Sequence, residues 1–547
     1  MRARALWLIV AAIAIFTLGQ VNAAQLNPTP VNLALGKPVV ASSVESISYL
    51  AHHVNDGNPN TRWSSQFEDN QWIVIDLEAS YDVHQVVLNW ETAYGQSYDI
   101  DVSFDGFNWE TVFEERNGDG GIDVINFGMP VPARFVRMTG LVRGTTFGFS
   151  LWEFEIFERD PAHRHVDGNG VDGANNCLDS ANPCATISQA ISQANPGNTI
   201  QIAVGAYTES FTIDKSLTLQ GAGEGSTTIQ AHVQPGMATN RVITIPDGLV
   251  VKIADVTIRH GQAIGNGASG QGGGIRNEGS ILALTGVTLN KNEASVGGGM
   301  YNTSSSPTLT NVAFIGNEAT GGGGLANINN SSPELANVTF SGNTAGSFGG
   351  GMYNQHNSSP TLVSVTFNGN ESGENGGGMD NGFDSSPTLT NVTFNGNTAG
   401  DLGGGLINFS NSSPTLTNTI VWGNTAGEGG NELYNFNNNS STELHYSLYK
   451  NEVGDIVEGG GFDVDANSIT EDPLFVNAAN GDLRLQAGSP AINAGDPATE
   501  LSLFPTDGGG NPVDLDGNPR VQDGRIDMGA FEYGSSPYRL YLPLVTK

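Results

Sequence analysis

Three glycines followed by one apolar residue occur at 272–275, 297–300, 322–325, 349–352, 376–379 and 403–406, so the apolar position advances by 25, 25, 27, 27 and 27 residues. The prolines of a Ser-Ser-Pro motif advance similarly, at Pro307, Pro333, Pro360, Pro387 and Pro414. A fixed period of this size predicts a solenoid. Within one repeat the apolar runs are short and broken by Gly, Asn and Ser-Pro. In 386–397, Leu389, Val392 and Phe394 can point inward around a turn at Asn391. No repeat carries a helical period, so about three short strands per coil predict a parallel β-helix.

Stacked coils lie about 4.8 Å apart, so equivalent residues should form ladders. Phe314, Phe340, Phe367 and Phe394 occupy one such position, preceded by Ile258 and Leu289 and followed by Val421. Asn277, Asn302, Asn327, Asn354, Asn381, Asn408 and Asn435 occupy another. Stacked amides can bond from coil to coil, so this row reads as structural rather than catalytic. A solenoid also needs its ends covered. One amphipathic helix is expected at 183–194, ahead of a first strand at 199–204.

Residues 31–158 have another texture. They lack glycine triplets and hold most of the tryptophans. Alternation at 72–77 and 83–90 predicts the strands of a β-sandwich, with a tight turn at Asp105-Gly106. The chain is therefore expected to be all-β, a sandwich at 31–158 followed by a parallel β-helix at 166–534.

Composition sharpens this picture. The 547 residues include 73 glycines and only 22 Lys+Arg, and the formal net charge is −34. Such a chain repels phosphate backbones, which argues against a nucleic-acid partner. Arg2 and Arg4, an apolar run from 6 to 18 and the small residues of Val21-Asn22-Ala23 give a signal peptide at 1–23, hence a secreted or cell-surface protein. No later segment is apolar enough to span a bilayer. The tail at 535–547 is short and apolar. Cys177 and Cys184 form a close pair in an exported chain, which points to a disulfide, with two free thiols as the alternative.

The first module carries a specific set of motifs. In order they are Asn32-Leu33-Ala34-Leu35-Gly36-Lys37-Pro38, Asp56-Gly57, Thr61-Arg62-Trp63, the strands at 72–77 and 98–103, Asp105-Gly106, Trp109, Ala133-Arg134-Phe135-Val136-Arg137 and Ser150-Leu151-Trp152-Glu153. This series resembles the coagulation factor V/VIII type C (discoidin) domain, whose bacterial members include the family 32 carbohydrate-binding modules. The resemblance implies a β-sandwich with a ligand site in the loops at one end. It also implies a structural Ca²⁺ held by Asp56, Asn58, Thr61 and Glu153, some through backbone carbonyls; hard oxygen donors suit that ion. The family's ligand loops vary, and the candidates here are His52, Phe67, Glu91, Tyr94, Arg143 and Phe147. An aromatic ring can take a sugar's apolar face while Arg, His or Glu bonds its hydroxyls.

In the second module, 183–194 with Gly205-Ala206-Tyr207-Thr208-Glu209 and Lys215-Ser216-Leu217-Thr218-Leu219-Gln220-Gly221 resembles the cap and first coils of pectin-lyase-like right-handed β-helices. The segment from Asp472-Pro473-Leu474-Phe475 to Asp527-Met528-Gly529-Ala530-Phe531-Glu532-Tyr533 resembles the closing segment of surface proteins called choice-of-anchor Q. Pectate lyases need an Arg or Lys base beside a calcium-held uronate. Residues 295–430 contain neither Lys nor Arg, which leaves only flanking residues such as Lys252, Arg259, His260, Arg276 or Lys291. Three functions are consistent with these features. The first is a monomeric carbohydrate-binding or adhesion protein whose β-helix is a non-catalytic scaffold. The second is an extracellular polysaccharide lyase or glycoside hydrolase. The third is a structural envelope protein that binds a protein partner.

Overall fold

In the computed structural model, which describes residues 32–158, 163–507, 509–522 and 524–534, the glycine repeats form the coils of a right-handed parallel β-solenoid. The signal peptide and the tail expected from sequence lie outside the described residues. The chain divides into two units between residues 160 and 161.

Each regular coil contributes one strand to each of three parallel sheets. The largest sheet holds strands such as Thr308–Ile315, Glu334–Ser341, Thr361–Asn368 and Thr388–Asn395. A second holds Met300–Thr303, Leu325–Ile328, Met352–Gln355 and Met379–Gly382; a third holds the short strands Glu318–Gly321, Thr344–Phe348 and Glu371–Ser372. The long strands bend at one residue in the left-handed region, Asn311, Asn337 or Asn391, with φ of 54° in each case. That bend lets residues on both sides of it face inward, so Leu389, Val392 and Phe394 are all buried.

The ladders follow. Phe314, Phe340, Phe367 and Phe394 stack with centroids 4.6–4.7 Å apart and planes within 4°. Ile258 and Leu289 precede them in register and Val421 follows Phe394. Asn302, Asn327, Asn354, Asn381, Asn408 and Asn435 form an unbroken chain of side-chain amide bonds of 2.9–3.0 Å. Asn277 shares the backbone register, but its amide donates to Ser305 instead.

The triplet glycines are each required for a different reason. Gly349 sits at φ 63°, where a side chain is strained. A Cβ on Gly350 would strike the carbonyl oxygens of Gly377 and Glu371. A Cβ on Gly351 would lie 2.8 Å from Phe367 Cδ1 and 2.6 Å from the Gly378 carbonyl. The glycine triplet and the phenylalanine ladder are thus one packing arrangement.

The N-terminal end is capped by a helix, Ile187–Gln193, shorter than the sequence suggests. Thr186 is its N-cap, with Oγ1 accepting the Gln189 amide at 3.1 Å, so 183–185 stay outside. Cys177 and Cys184 are disulfide-bonded and buried against this cap. A strand unexpected from sequence, His163–Val166, pairs in parallel with Thr199–Ile202 and starts the solenoid early.

The closing segment also differs from a simple lid. Part of it folds back along the outer face of the long-strand sheet. Asn391 Nδ2 donates to the carbonyls of Asp527 (2.8 Å) and Gly529 (2.9 Å), and Asn418 Oδ1 accepts the Asp496 amide at 2.6 Å. The left-handed residues that bend the coils are therefore also the anchor points of this strap.

The first unit is a seven-stranded antiparallel sheet. The two runs expected as separate strands at 72–77 and 83–90 belong to one strand, Gln71–Trp90, whose register shifts between Asp76 and Tyr81. It pairs with the similarly long Ile122–Arg143 and with Ser150–Glu158. Alternate residues Ile73, Ile75 and Leu77 join Trp63, Tyr98, Phe149 and Phe154 in one core.

Candidate functional site

At one edge of this module the loops around 67 and 147 meet because Ser65 Oγ accepts the Phe149 amide at 2.9 Å. Phe67 and Phe147 are 48% and 58% exposed, and their rings meet edge to face with centroids 5.7 Å apart. Arg143 lies beside them at the end of its strand. Its Nε donates to Asp69 Oδ1 at 2.9 Å, its backbone amide reaches the same oxygen at 3.2 Å, and Nη1 reaches the Phe147 carbonyl at 3.3 Å. The guanidinium holds the Asp69 carboxyl below its usual range. Tyr94 is half-buried and adjoins Arg143 through its carbonyl, which accepts the Gly144 amide at 2.9 Å.

Four of the six candidates therefore come together: Phe67, Tyr94, Arg143 and Phe147. Glu91 turns back on its own loop, with Oε1 accepting from Thr92 at 2.6 Å and Oε2 from the Ala93 amide at 3.1 Å. His52 stands on the 3-10 helix Ala51–Asn55 and packs on His53, 4.6 Å between centroids. Sequence reading missed Asp69, which fixes Arg143 from 74 residues away. It also missed a surface cluster in which Arg62 lies 4.0 Å over Tyr49 and 5.9 Å from Trp152. No local spacing marks either group.

The residues assigned to calcium occupy one loop and the strand beside it. Asp56 accepts the Asn58 amide at 2.9 Å and the Thr61 hydroxyl at 2.8 and 3.0 Å, and the Asn58 carbonyl accepts from Thr61 Oγ1 at 3.0 Å. Among the described residues, neither buried carboxylate oxygen of Glu153 has a hydrogen-bond partner of good geometry. Burial, then the charges of Asp56 and Glu155, push its carboxyl up to about 7, offset slightly by the nearby Gly57 amide. An orphaned carboxylate beside a second one fits a hard cation. Among the described residues no group of three or more His, Cys, Asp or Glu side chains is placed to hold a metal, so carbonyl or hydroxyl oxygens would complete the set.

On the solenoid, His260 has φ 56° and occupies a turn position shared with Lys291 (50°) and Gly316 (59°). Arg276 is tied to Glu278 at 2.7 Å, and Arg259 donates to Gln230 at 2.9 Å. Among the described residues no helix is long and apolar enough to cross a membrane.

Comparison with known proteins places the first module. Residues 53–138 match the family model for a NedA-like, galactose-binding domain of the F5/8 type C class. Similar solved structures include chitosan-binding module 1 of a chitosanase/glucanase from Paenibacillus sp. IK-5, 48% identical, covering 23% of this chain and 98% of that one, TM-score 0.23. Module 2 of the same enzyme, solved with chitotriose, is 43% identical over 23% of this chain and 99% of its own, TM-score 0.23. A curated relative, the polysaccharide lyase 8 family protein HylA of Enterococcus faecalis, is 30% identical over 144 residues, 23% of this chain. The chain spans only 10% of that relative's length. The protein thus joins an F5/8 type C, carbohydrate-binding-type module to a parallel β-solenoid of pectin-lyase-like architecture.

Proposed function

We propose that this is an exported carbohydrate-binding protein in which the first module docks a glycan across Phe67 and Phe147 while the solenoid serves as a non-catalytic scaffold for adhesion. The observation that carries this reading is the exposed aromatic pair beside an Arg143 already fixed by Asp69, within a module matched by a galactose-binding family model. A pyranose offers an apolar face and a rim of hydroxyls. A phenylalanine ring takes the face, and the guanidinium donates to the rim. Fixing Arg143 beforehand lowers the entropy lost on binding. The test is a broad glycan array on the full chain, repeated with Phe147→Ala and Arg143→Ala. Hits on the wild type that both variants lose support the reading, and an array without hits refutes it.

In the same module we infer a structural calcium ion on Asp56 and Glu153, with oxygens of Asn58 and Thr61. The unpartnered Glu153 carboxylate supports it. Calcium should raise the melting temperature of the wild type and leave Glu153→Gln unmoved. A wild type indifferent to calcium and to its chelation removes the ion from the account.

A further inference from the structure

Between the strap and the outer face of the long-strand sheet lies a groove of about 1320 Å³. Its floor follows the coil bends from Asp255 through Gly286 and Asn311 to Asn337, and the strap forms the facing wall. The hairpin of Phe475–Asn477 and Asp482–Leu485 approaches the sheet at its tip, where Gly481 adjoins Asn368. Farther along, the Asp514 carbonyl accepts from Asn337 at 3.4 Å.

The charge of this groove is one-sided. Among the described residues, Glu224, Asp255, Asp482, Asp507 and Asp516 line it against a single cation, Arg484. That guanidinium is already engaged, with Nε donating to Asp482 Oδ1 at 2.7 Å and Nη2 to the other oxygen. Asp516 is left with only this engaged cation nearby. Burial, then the neighbouring Asp514, pushes its carboxyl up to about 6. In the floor, Asn337 is 7% exposed. Its Nδ2 is used on Asn311 (3.3 Å) and Asp514, while its Oδ1 is buried without a donor among the described residues. A buried acceptor left unpaired costs free energy that a ligand donor can recover.

The remaining lining is hydroxyl and amide at coil spacing. Thr339 faces Thr366 across neighbouring strands, and Ser341 faces Asn368. Strands about 4.8 Å apart repeat these groups at nearly the length of one sugar ring. Val513, Leu515 and Phe531 add apolar surface on the opposite wall. The groove therefore presents negative charge, periodic hydroxyls and apolar patches, with the unpartnered Asn337 oxygen in its floor.

We propose that this groove is a second carbohydrate site, on the solenoid itself, for an oligosaccharide bearing free amino groups. Ammonium groups meet the carboxylates and the Asn337 oxygen, and ring hydroxyls meet the threonine and asparagine pairs. A uronate or sulfated polymer is repelled. A basic peptide would answer the charge but not the periodic hydroxyls. The proposal extends the glycan-binding reading of the chain, and its test separates the two.

The probe is an oligomer of glucosamine, with N-acetylglucosamine oligomers of equal length and a lysine oligomer as comparisons, measured by calorimetry on the full chain. The first module is silenced by Arg143→Ala with Phe147→Ala. The silenced chain should still bind the glucosamine oligomer, and its affinity should fall about tenfold or more with Asp516→Asn plus Glu224→Gln, as expected for loss of charge-assisted hydrogen bonds. Acetylation of the probe should have a similar effect. A silenced chain that no longer binds, or binds the acetylated or lysine oligomer equally well, overturns the groove assignment. Binding unchanged by the acidic-groove substitutions overturns it as well. Loss of all binding on silencing refutes the groove alone and leaves the first module's role standing, whereas a glycan profile unchanged by silencing refutes the module reading and leaves the groove.

Discussion

In the solenoid, Phe314, Phe340, Phe367 and Phe394 fill one position four times, and each ring packs on the next. In the first module no position recurs: Trp63, Tyr98, Phe149 and Phe154 each fill a different part of one core. The repeat makes neighbouring coils responsible for one another, so an error is felt by the coils above and below. The module instead places irregular groups at one edge, where Phe67 and Phe147 project and Asp69 fixes Arg143. Regular stacking is suited to holding shape, and irregular loops are suited to recognition.

The sharpest way to break this contrast is to damage one side and read the other. Phe367→Ala should cost about 3–5 kcal/mol of solenoid stability, because the ring is fully buried between two others. Glycan binding by the module should be unchanged. Thermal unfolding and the glycan array together check this, and a loss of module binding would erase the division of labour. Asn370→Ala should cost about 2–3 kcal/mol, because it strands the Asn343 amides that bond to Oδ1 at 2.9–3.1 Å.

On the recognition side, Arg143→Ala should weaken glycan binding by about tenfold or somewhat more while leaving the solenoid's melting temperature in place. Calorimetry and a thermal scan read the two effects separately. A last prediction concerns Glu432 and pH. Burial raises its carboxyl from 4.5 to about 7. The folded state therefore binds the proton more tightly than the unfolded chain. The resulting stability is fully present below 4.5 and is lost as pH rises through about 7. Glu432→Gln should flatten that decline in melting curves recorded across the interval.

The coils were legible in the sequence because stacking forces the same residue type to the same place. The stride of Met300, Leu325 and Met352, the turn at Asn391 and the Phe row all follow from that constraint. A second asparagine row, Asn292, Asn317, Asn343, Asn370, Asn397 and Asn424, is equally periodic but lies among the Gly and Asn positions that only break the apolar runs. The strap had no period to announce it. Its partners, Asn391 and Asp527, are 136 residues apart, and nothing local joins them. The first module's motifs announced its fold, since they lie in strands and tight turns. Its edge was only partly legible, because loop residues such as Phe67 and Asp69 acquire a shared role only after the sheet brings them together.

That second asparagine row has a direction. From Asn317 to Asn424 each Oδ1 accepts both the backbone amide and Nδ2 of the asparagine one coil earlier, at 2.8–3.1 Å, and Asn292 Oδ1 accepts the Gly261 amide at 2.9 Å, so backbone donors fix which way every side-chain amide points. The amide dipoles are aligned and sum along the stack, as peptide dipoles do in a helix. Their positive end is at Asn424. There Glu432 stands where the third glycine of the triplet would be, and its Oε2 accepts Asn424 Nδ2 at 2.6 Å and the Asn424 amide at 3.3 Å. A carboxylate thus takes the place of the next asparagine oxygen. A duplicated coil could enter the middle of this polar array and continue it, but one added after Glu432 would meet a group that accepts and has no amide to pass on. Glu432 is a terminator, and the length of the array is written in one side chain.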